Sequence, residues 1–482
     1  MQKAHVKRVS ALLVGLSLVA AACGSDDETP VEDDTVTTEA TEGTEAEAPT
    51  TEGEEAPTTE ATEGTEVEAP TTEGEEAPTT EGEEAPTTDG EEVPAGDTTG
   101  QLVIGGLLPE TGNLAFLGPP EIAGVNLAVQ DINEAGGVLG QDVTYLPGDP
   151  GDNGDVANAT VDRLLAQDVD AFIGAASSGV SLTVIDKITQ AGKVHFSPAN
   201  TSPAFTDYAD NDLYFRTAPS DVVQGAALAD IMIADGNASA TFLVLNDAYG
   251  TGLLEFTSGP FEAQGGVVDA ENIYDPQAEN FDDVVAVAVE ADSDAIVIIG
   301  FDETGLILQG LIEAGIGPDA KAIYGTDGNM GNALAEGFDD PSVLAGMRGT
   351  LPGVDVAGEL ADFRDGLLSV DPELVDFSYA AESYDAIVVM SLAAIAAGSD
   401  DGVTMGAEIN DVTRGGEKCT TFADCAALLE ADPATDIDYD GVSGPLEFRD
   451  EGEPTQASIL TLEFDAEGVL QTVGSVQGSV EV

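Results

Sequence analysis

Leu102-Val-Ile-Gly-Gly-Leu-Leu108 is a short apolar run, and an amphipathic stretch over residues 122–133 follows it. The same pair of patterns recurs along the chain, at residues 171–174 with 181–191, 240–245 with 252–264, and 295–300 with 303–314. Short apolar runs that alternate with helical patterns are typical of βαβ units, whose parallel strands are buried on both faces. The sequence therefore predicts an α/β fold with doubly wound sheets.

Polar loops follow the predicted strands. They contain Pro109-Glu-Thr-Gly-Asn113, Ser177-Ser-Gly179, Ser197-Pro-Ala-Asn-Thr201, Asn246-Asp-Ala-Tyr-Gly-Thr-Gly252 and Thr326-Asp-Gly-Asn329. In open parallel sheets, ligands bind at the carboxyl ends of the strands. Five such loops at equivalent positions predict one composite ligand cleft.

The composition excludes several classes of function. The formal net charge is −80, which disfavours nucleic acid because phosphates need Lys and Arg. The chain has two histidines, so a His-based catalytic triad or a multi-His metal centre is disfavoured. An exported hydrolase with Glu110 and Asp327 as paired carboxylates is disfavoured, because no activated nucleophile accompanies them. A calcium site in the acidic loop 149–155 is disfavoured because the loop lacks the spacing of an EF-hand. We predict no enzyme activity, cofactor or metal.

The N-terminus predicts export. Lys3, Lys7 and Arg8 precede an apolar stretch over residues 11–22, which is short for a membrane span. Ala20-Ala-Ala22 and then Cys23 resemble a bacterial lipobox, in which the cysteine is lipidated. We therefore expect a lipoprotein signal peptide over residues 1–22 and a lipid anchor at Cys23, on the outer face of the cytoplasmic membrane. An ordinary secretory signal with an incidental cysteine is the alternative.

Residues 24–100 differ in composition from the rest of the chain. Residues 24–100 contain 27 Asp and Glu and no Lys or Arg, in imperfect repeats such as TEGEEAPTTE. Such a segment cannot bury enough apolar surface to offset chain entropy, and repulsion between its charges extends it. We predict a disordered acidic tether over residues 23–100 and a folded part from residue 101 to residue 482.

Two further cysteines, Cys419 and Cys425, lie in the folded part. Oxidising compartments favour disulfides, so we expect these two to pair. Two free structural thiols are the alternative.

The folded part resembles the branched-chain amino acid family of type I solute-binding proteins, which serve ABC importers. The resemblance rests on the five loops, on Phe215-Arg-Thr-Ala-Pro-Ser-Asp221, on Ser383-Tyr-Asp385 and on Asp438-Tyr-Asp-Gly-Val-Ser-Gly-Pro445. It implies the Venus-flytrap fold, with two α/β lobes joined by three hinge crossings. Lobe 1 would comprise residues 101–219 and 350–455, and lobe 2 residues 220–349 and 456–482.

The resemblance also implies a site for a zwitterion. Ser178 matches the residue that binds the ligand carboxylate. The backbone of Ala199 and the hydroxyl of Thr201 match groups around the α-ammonium, and Asp327 matches its acidic partner from the second lobe. Tyr249 matches an aromatic that covers the ligand, and Leu117 and Phe301 fall where the family contacts the ligand side chain. Each also has a structural alternative, such as a helix cap at Ser178 or a turn residue at Asp327.

The resemblance implies capture of an amino acid and its delivery to ABC permease subunits. A sensor with the same fold is one alternative, and a binding protein for an amide or urea-type solute is another. We expect the partners to be a small ligand, a permease and a membrane contacted through the lipid anchor.

Overall fold

The structure is a computed structural model that describes residues 99–480. The predicted signal peptide, Cys23 and all but the last two residues of the predicted tether lie outside the described residues. The folded part consists of two α/β lobes, each built on its own sheet.

The first sheet contains five parallel strands in the order β2-β1-β3-β4-β5. These are β1 (Val103–Leu107), β2 (Thr144–Leu146), β3 (Ala171–Gly174), β4 (Val194–Ser197) and β5 (Tyr214–Arg216). The helices that alternate with them are α1 (Gly118–Ala135), α2 (Gly154–Leu165) and α3 (Ser178–Gln190). All-parallel sheets are buried on both faces, and β3 and β4 are buried at every position.

The second sheet contains seven strands in the order β14-β13-β10-β9-β8-β6-β7. Its parallel part comprises β6 (Ser239–Leu245), β7 (Val267–Tyr274), β8 (Ala295–Ile299), β9 (Ala322–Gly325) and β10 (Arg348–Pro352). The helices of this lobe are α4 (Asp221–Ala234), α5 (Ala248–Ala263), α6 (Asp282–Ala291), α7 (Thr304–Glu313) and α8 (Asn332–Glu336). An antiparallel hairpin completes the edge, formed by β13 (Gln456–Phe464) and β14 (Leu470–Ser479).

The remaining elements return to the first lobe. They are α9 (Ala361–Val370), α10 (Ala380–Ala397), α11 (Gly402–Ile409), α12 (Phe422–Ala431) and a small sheet of β11 (Glu417–Cys419) with β12 (Ile437–Tyr439). A disulfide joins Cys419 to Cys425 and so ties β11 to α12. Helix α10 is long and apolar enough to cross a membrane, but 78% of it is buried inside the structure, as in the core helix of a globular protein.

Three segments cross between the sheets, at residues 217–220, 353–360 and 449–455. Strand β10 lies wholly in the second sheet, so the chain leaves that sheet after Pro352 and not at the predicted boundary between residues 349 and 350. Arg216, at the end of β5 where the first crossing begins, forms an ion pair with Glu453 in the third crossing, and the two side chains are 1% and 2% exposed.

Two helices begin earlier than their apolar periodicity predicts. Helix α1 starts at Gly118, because Pro119 and Pro120 fit the first turn, where a missing N–H costs nothing. Helix α3 starts at Ser178, three residues before the predicted start. Its cap is Ser177, whose hydroxyl accepts a hydrogen bond from the N–H of Val180, so the alternative that Ser178 is the helix cap is wrong.

The two lobes contact each other across the cleft. The hydroxyl of Ser202 in the first lobe donates to the carbonyl of Ala248 at 2.7 Å. The amide of Asn332 in the second lobe donates to Asp376 at 2.5 Å. Leu114 and Leu117 pack into the apolar core of the second lobe. These contacts describe a closed arrangement, in which groups from both lobes enclose the space between them.

Candidate functional site

The first wall of the cleft is the N-terminus of α3, which the β3–α3 loop aims at the opposite lobe. Ser178 is the first residue of this helix and is 2% exposed. Its hydroxyl accepts a hydrogen bond from the N–H of Ser202 at 3.3 Å. The first N–H groups of a helix have no intrahelical partner and carry a partial positive charge. This wall is therefore suited to an anionic group such as a carboxylate.

The loop after β4 forms the adjacent wall. Asn200 fixes it, because its side-chain amide donates to the carbonyls of Ala175 and Ala176 at 2.9 and 2.8 Å. The residues on either side of Asn200, Ala199 and Thr201, are 5% and 1% exposed. Rigid anchoring of Asn200 holds the Thr201 hydroxyl and the Ala199 backbone beside the start of α3.

The second lobe contributes a buried carboxylate, Asp327, in the loop after β9. It accepts hydrogen bonds from the amide of Gln224 and from the hydroxyls of Tyr249 and Tyr379, at 2.8, 2.8 and 2.7 Å. Burial raises the pKa of Asp327, while these three hydrogen bonds act in the opposite direction by stabilising the ionised form. All three donors are neutral, so the charge of an ionised Asp327 is solvated by dipoles alone.

Aromatic rings cover this carboxylate. Tyr249 stacks on Phe301 with ring centroids 5.5 Å apart and ring planes 15° apart. The Tyr249 hydroxyl also contacts the hydroxyl of Thr326 at 2.7 Å and accepts from the N–H of Gly328 at 3.2 Å. The ring therefore has a fixed position over the cleft.

The structure brings all seven residues of the predicted site to one small cavity between the lobes. The residues that line it are Leu114, Leu117, Ala176, Ser177, Ser178, Ala199, Thr201, Tyr249, Phe301, Asp327, Gly328 and Tyr379. Leu117 and Phe301 supply apolar surface, while Ser178 and Asp327 supply groups that suit an anion and a cation. Groups that suit the two charged ends and an apolar substituent of a small zwitterion therefore face one cavity.

Tyr379 was not predicted from the sequence as a site residue. It precedes α10 and reaches the cavity from the first lobe. Its backbone has a positive φ of 59°, which is uncommon for a residue with a side chain. The hydrogen bond from its hydroxyl to Asp327 links the two lobes.

Asp221 was also not predicted as a site residue, because a serine followed by an acidic residue is common at the start of a helix and indicates no other role. Ser220 is indeed the cap of α4. The Asp221 carboxylate is fully buried, and neither oxygen has a partner of good hydrogen-bond geometry, although Thr201 lies close enough to lower its pKa. The pKa of Asp221 is raised well above its usual range, mainly by burial and to a smaller extent by the nearby charge of Asp327. Asp221 therefore interacts with both Thr201 and Asp327, and this second buried acid adds to the preference of the site for a cation.

The sequence of the chain is similar to those of known binding proteins. A sequence model of the family described as "Periplasmic binding protein" matches residues 101–465. The substrate-binding protein BasB of a chemotactic signal transduction system of Halobacterium salinarum is 24% identical over 375 residues, which are 76% of this chain and 87% of BasB. A Leu/Ile/Val-binding protein homologue of Brucella abortus is 28% identical over 318 residues, which are 64% of this chain and 81% of the relative.

The fold has a counterpart among solved structures. The branched-chain amino acid transporter substrate-binding protein LivJ of Streptococcus pneumoniae, solved in complex with isoleucine, superposes with a TM-score of 0.65 at 21% identity. The match covers 78% of this chain and 99% of LivJ. Because the family model spans both lobes, the chain belongs to the periplasmic binding proteins, as a type I member of the branched-chain amino acid family.

Proposed function

We propose that the chain is the extracytoplasmic substrate-binding lipoprotein of an ABC importer, which captures a neutral α-amino acid between its lobes and delivers it to the permease. The observation that carries the proposal is the buried carboxylate of Asp327, which lines the same cavity as Thr201 and as Ser178, the first residue of α3. The buried acid Asp221 lies close enough to interact with Asp327 and Thr201. A zwitterion loses hydration at both ends in such a cavity, and each charged end then needs a partner.

The binding mode follows from these groups. The ligand carboxylate binds at the N-terminus of α3 with the Ser178 hydroxyl, and its ammonium binds Thr201 and Asp327. An apolar side chain contacts Leu117 and Phe301. Because the carboxylate partner lies on the first lobe and Asp327 on the second, the ligand favours the closed form by touching both lobes.

A sensor role is the second candidate, supported by the similarity to BasB, the substrate-binding protein of a chemotactic signal transduction system. The ligand chemistry is the same for both roles, because lobe closure serves either a permease or a signalling partner. Crosslinking in intact cells separates them. Capture of permease subunits supports import, and capture of a signalling receptor alone supports sensing.

Titration calorimetry with a panel of ligands tests the amino-acid proposal. We expect a neutral α-amino acid to bind with a Kd of about 1 μM, and the same compound without its amino group to bind at least about tenfold more weakly. The panel includes amides and urea. If these bind tightly and no α-amino acid binds, the amino-acid proposal is wrong and an amide or urea-type solute replaces it.

The lipid anchor gives a separate prediction. In cells, Cys23→Ser moves the protein from the membrane to the soluble fraction, because two or three acyl chains are needed for durable attachment and this residue would carry them. Cys419→Ser is the matched control, since it removes a cysteine of the folded part and leaves the protein on the membrane. Membrane retention of Cys23→Ser would contradict the anchor, and fractionation with immunoblotting measures both.

A further inference from the structure

Tyr379 lines a second cavity as well as the first. This second cavity opens to solvent and has a volume of about 110 Å³. Residues 351–357, at the second crossing, and the loop 375–379 form much of its wall, and β13 and β14 form the rest. It is thus bounded by the second sheet, by the first lobe and by one of the connections between them.

A buried carboxyl group faces this cavity. Glu382, in the first turn of α10, is 4% exposed and lines the cavity. Within the described chain its carboxylate contacts its own backbone N–H but no other hydrogen-bond donor. Gly353 leaves room for it, because a Cβ at that position would lie 2.8 Å from the Glu382 Oε1. A buried acid that accepts from one backbone N–H alone is costly to ionise, and a cation in the cavity would lower that cost.

The chemistry of the wall is acidic and apolar. Asp355 and Asp376 join Glu382, while the apolar surface comes from Leu351, Val356, Phe377, Leu460 and Leu462. Of the described residues that line the cavity, none is Lys, Arg or His. An inorganic cation needs several oxygen ligands that converge on one point, and among the described residues these three acids do not converge in that way. An amine needs fewer acceptors and tolerates apolar neighbours.

We propose that this cavity is a second ligand site, which binds a small organic monocation with an apolar substituent through Glu382. The site is distinct from the one around Asp327, although Tyr379 contributes to both walls. Its occupant touches both lobes, because Glu382 lies on the first and Leu460 and Leu462 lie on the second. It therefore stabilises the closed form and couples thermodynamically to the first site.

Protonation supplies a readout for the test. Burial raises the pKa of Glu382 to about 8, and the charge of Asp385 adds to the effect. The acids Glu121, Asp355 and Asp376 also face this region, and no cation among the residues that line the cavity opposes them. Below this raised pKa the carboxyl group is protonated, so a bound ammonium displaces a proton.

Titration calorimetry of the full chain with n-butylammonium chloride tests the proposal. We expect a Kd of about 1 mM, with release of close to one proton, measured in buffers of different ionisation enthalpy. Glu382→Gln is expected to weaken binding at least tenfold and to abolish the proton release. The exposed Glu313→Gln is the matched control and leaves both unchanged.

Two further variants keep the result decisive. Asp327→Asn retains butylammonium binding if the second site is used and loses it if the probe enters the first site. Val375→Lys, at a position 72% exposed on the rim, places an ammonium in the cavity and should weaken binding even if Glu382→Gln fails to fold. Absence of binding to the wild type, or binding that depends on Asp327 and not on Glu382, would overturn the proposal without affecting the amino-acid proposal.

Discussion

Asp327→Asn weakens binding of a neutral amino acid by about 30-fold to 3,000-fold, which corresponds to about 2–5 kcal/mol. The replacement keeps the shape of the side chain but removes the charge that the ligand ammonium requires in a buried site. The neutral donors Gln224, Tyr249 and Tyr379 cannot replace that charge. Titration calorimetry at pH 7 with the best ligand of the panel measures the loss.

The control for this variant is Asp319→Asn. Asp319 is exposed and precedes β9, whereas Asp327 follows that strand and lies in the cleft. Loss of one surface charge should leave the affinity within about twofold. If Asp327→Asn binds the amino acid as tightly as the wild type, the ammonium has another partner, and Asp221 becomes the first residue to replace.

The affinity of the wild type also depends on pH. Burial raises the pKa of Asp327, so its carboxyl group accepts a proton at a higher pH than an exposed aspartate does. The protonated form carries no charge for the ammonium, and affinity therefore falls as the pH decreases through this raised pKa. In Asp327→Asn this part of the pH dependence is absent. A titration between pH 7 and pH 4 compares the two proteins.

The strands were the more predictable part of the fold. The apolar run over residues 171–174 corresponds to β3, because a short buried strand has apolar residues at every position. Helix starts were less predictable, since periodicity marks the buried face of a helix and not its first turn. In α3 that turn contains Ser178 and Gly179, which lack the apolar pattern, and the cap at Ser177 decides where the helix begins.

The site was predictable only in part, for a related physical reason. Loops after parallel strands meet at one edge of a sheet, which is why Ser178, Thr201 and Asp327 could be placed in one cleft from their order alone. Tyr379 and Asp221 follow no strand pattern. Their roles depend on burial and on the packing of one lobe against the other, which local sequence does not encode.

Glu453→Gln is expected to destabilise the protein by about 3–5 kcal/mol, because it leaves the charge of Arg216 buried without an anionic partner. Glu453 accepts hydrogen bonds from Arg216, from Arg449 and from the Thr206 hydroxyl. Arg216 also donates to the carbonyls of Asn200 and Ser202, at 3.2 and 2.8 Å, on either side of Thr201. Urea unfolding followed by circular dichroism measures the change in the free energy of unfolding.

Two controls show whether burial causes this effect. Asp162→Asn breaks the pair with Lys187, whose side chains are 66% and 33% exposed, and should cost at most about 1 kcal/mol. The double variant Arg216→Met with Glu453→Leu removes both buried charges and should be more stable than Glu453→Gln alone. Since Arg216 holds the loop around Thr201, the double variant should still lose ligand affinity. Equal unfolding free energies for Glu453→Gln and Asp162→Asn would show that the two crossings are held together by packing and not by this ion pair.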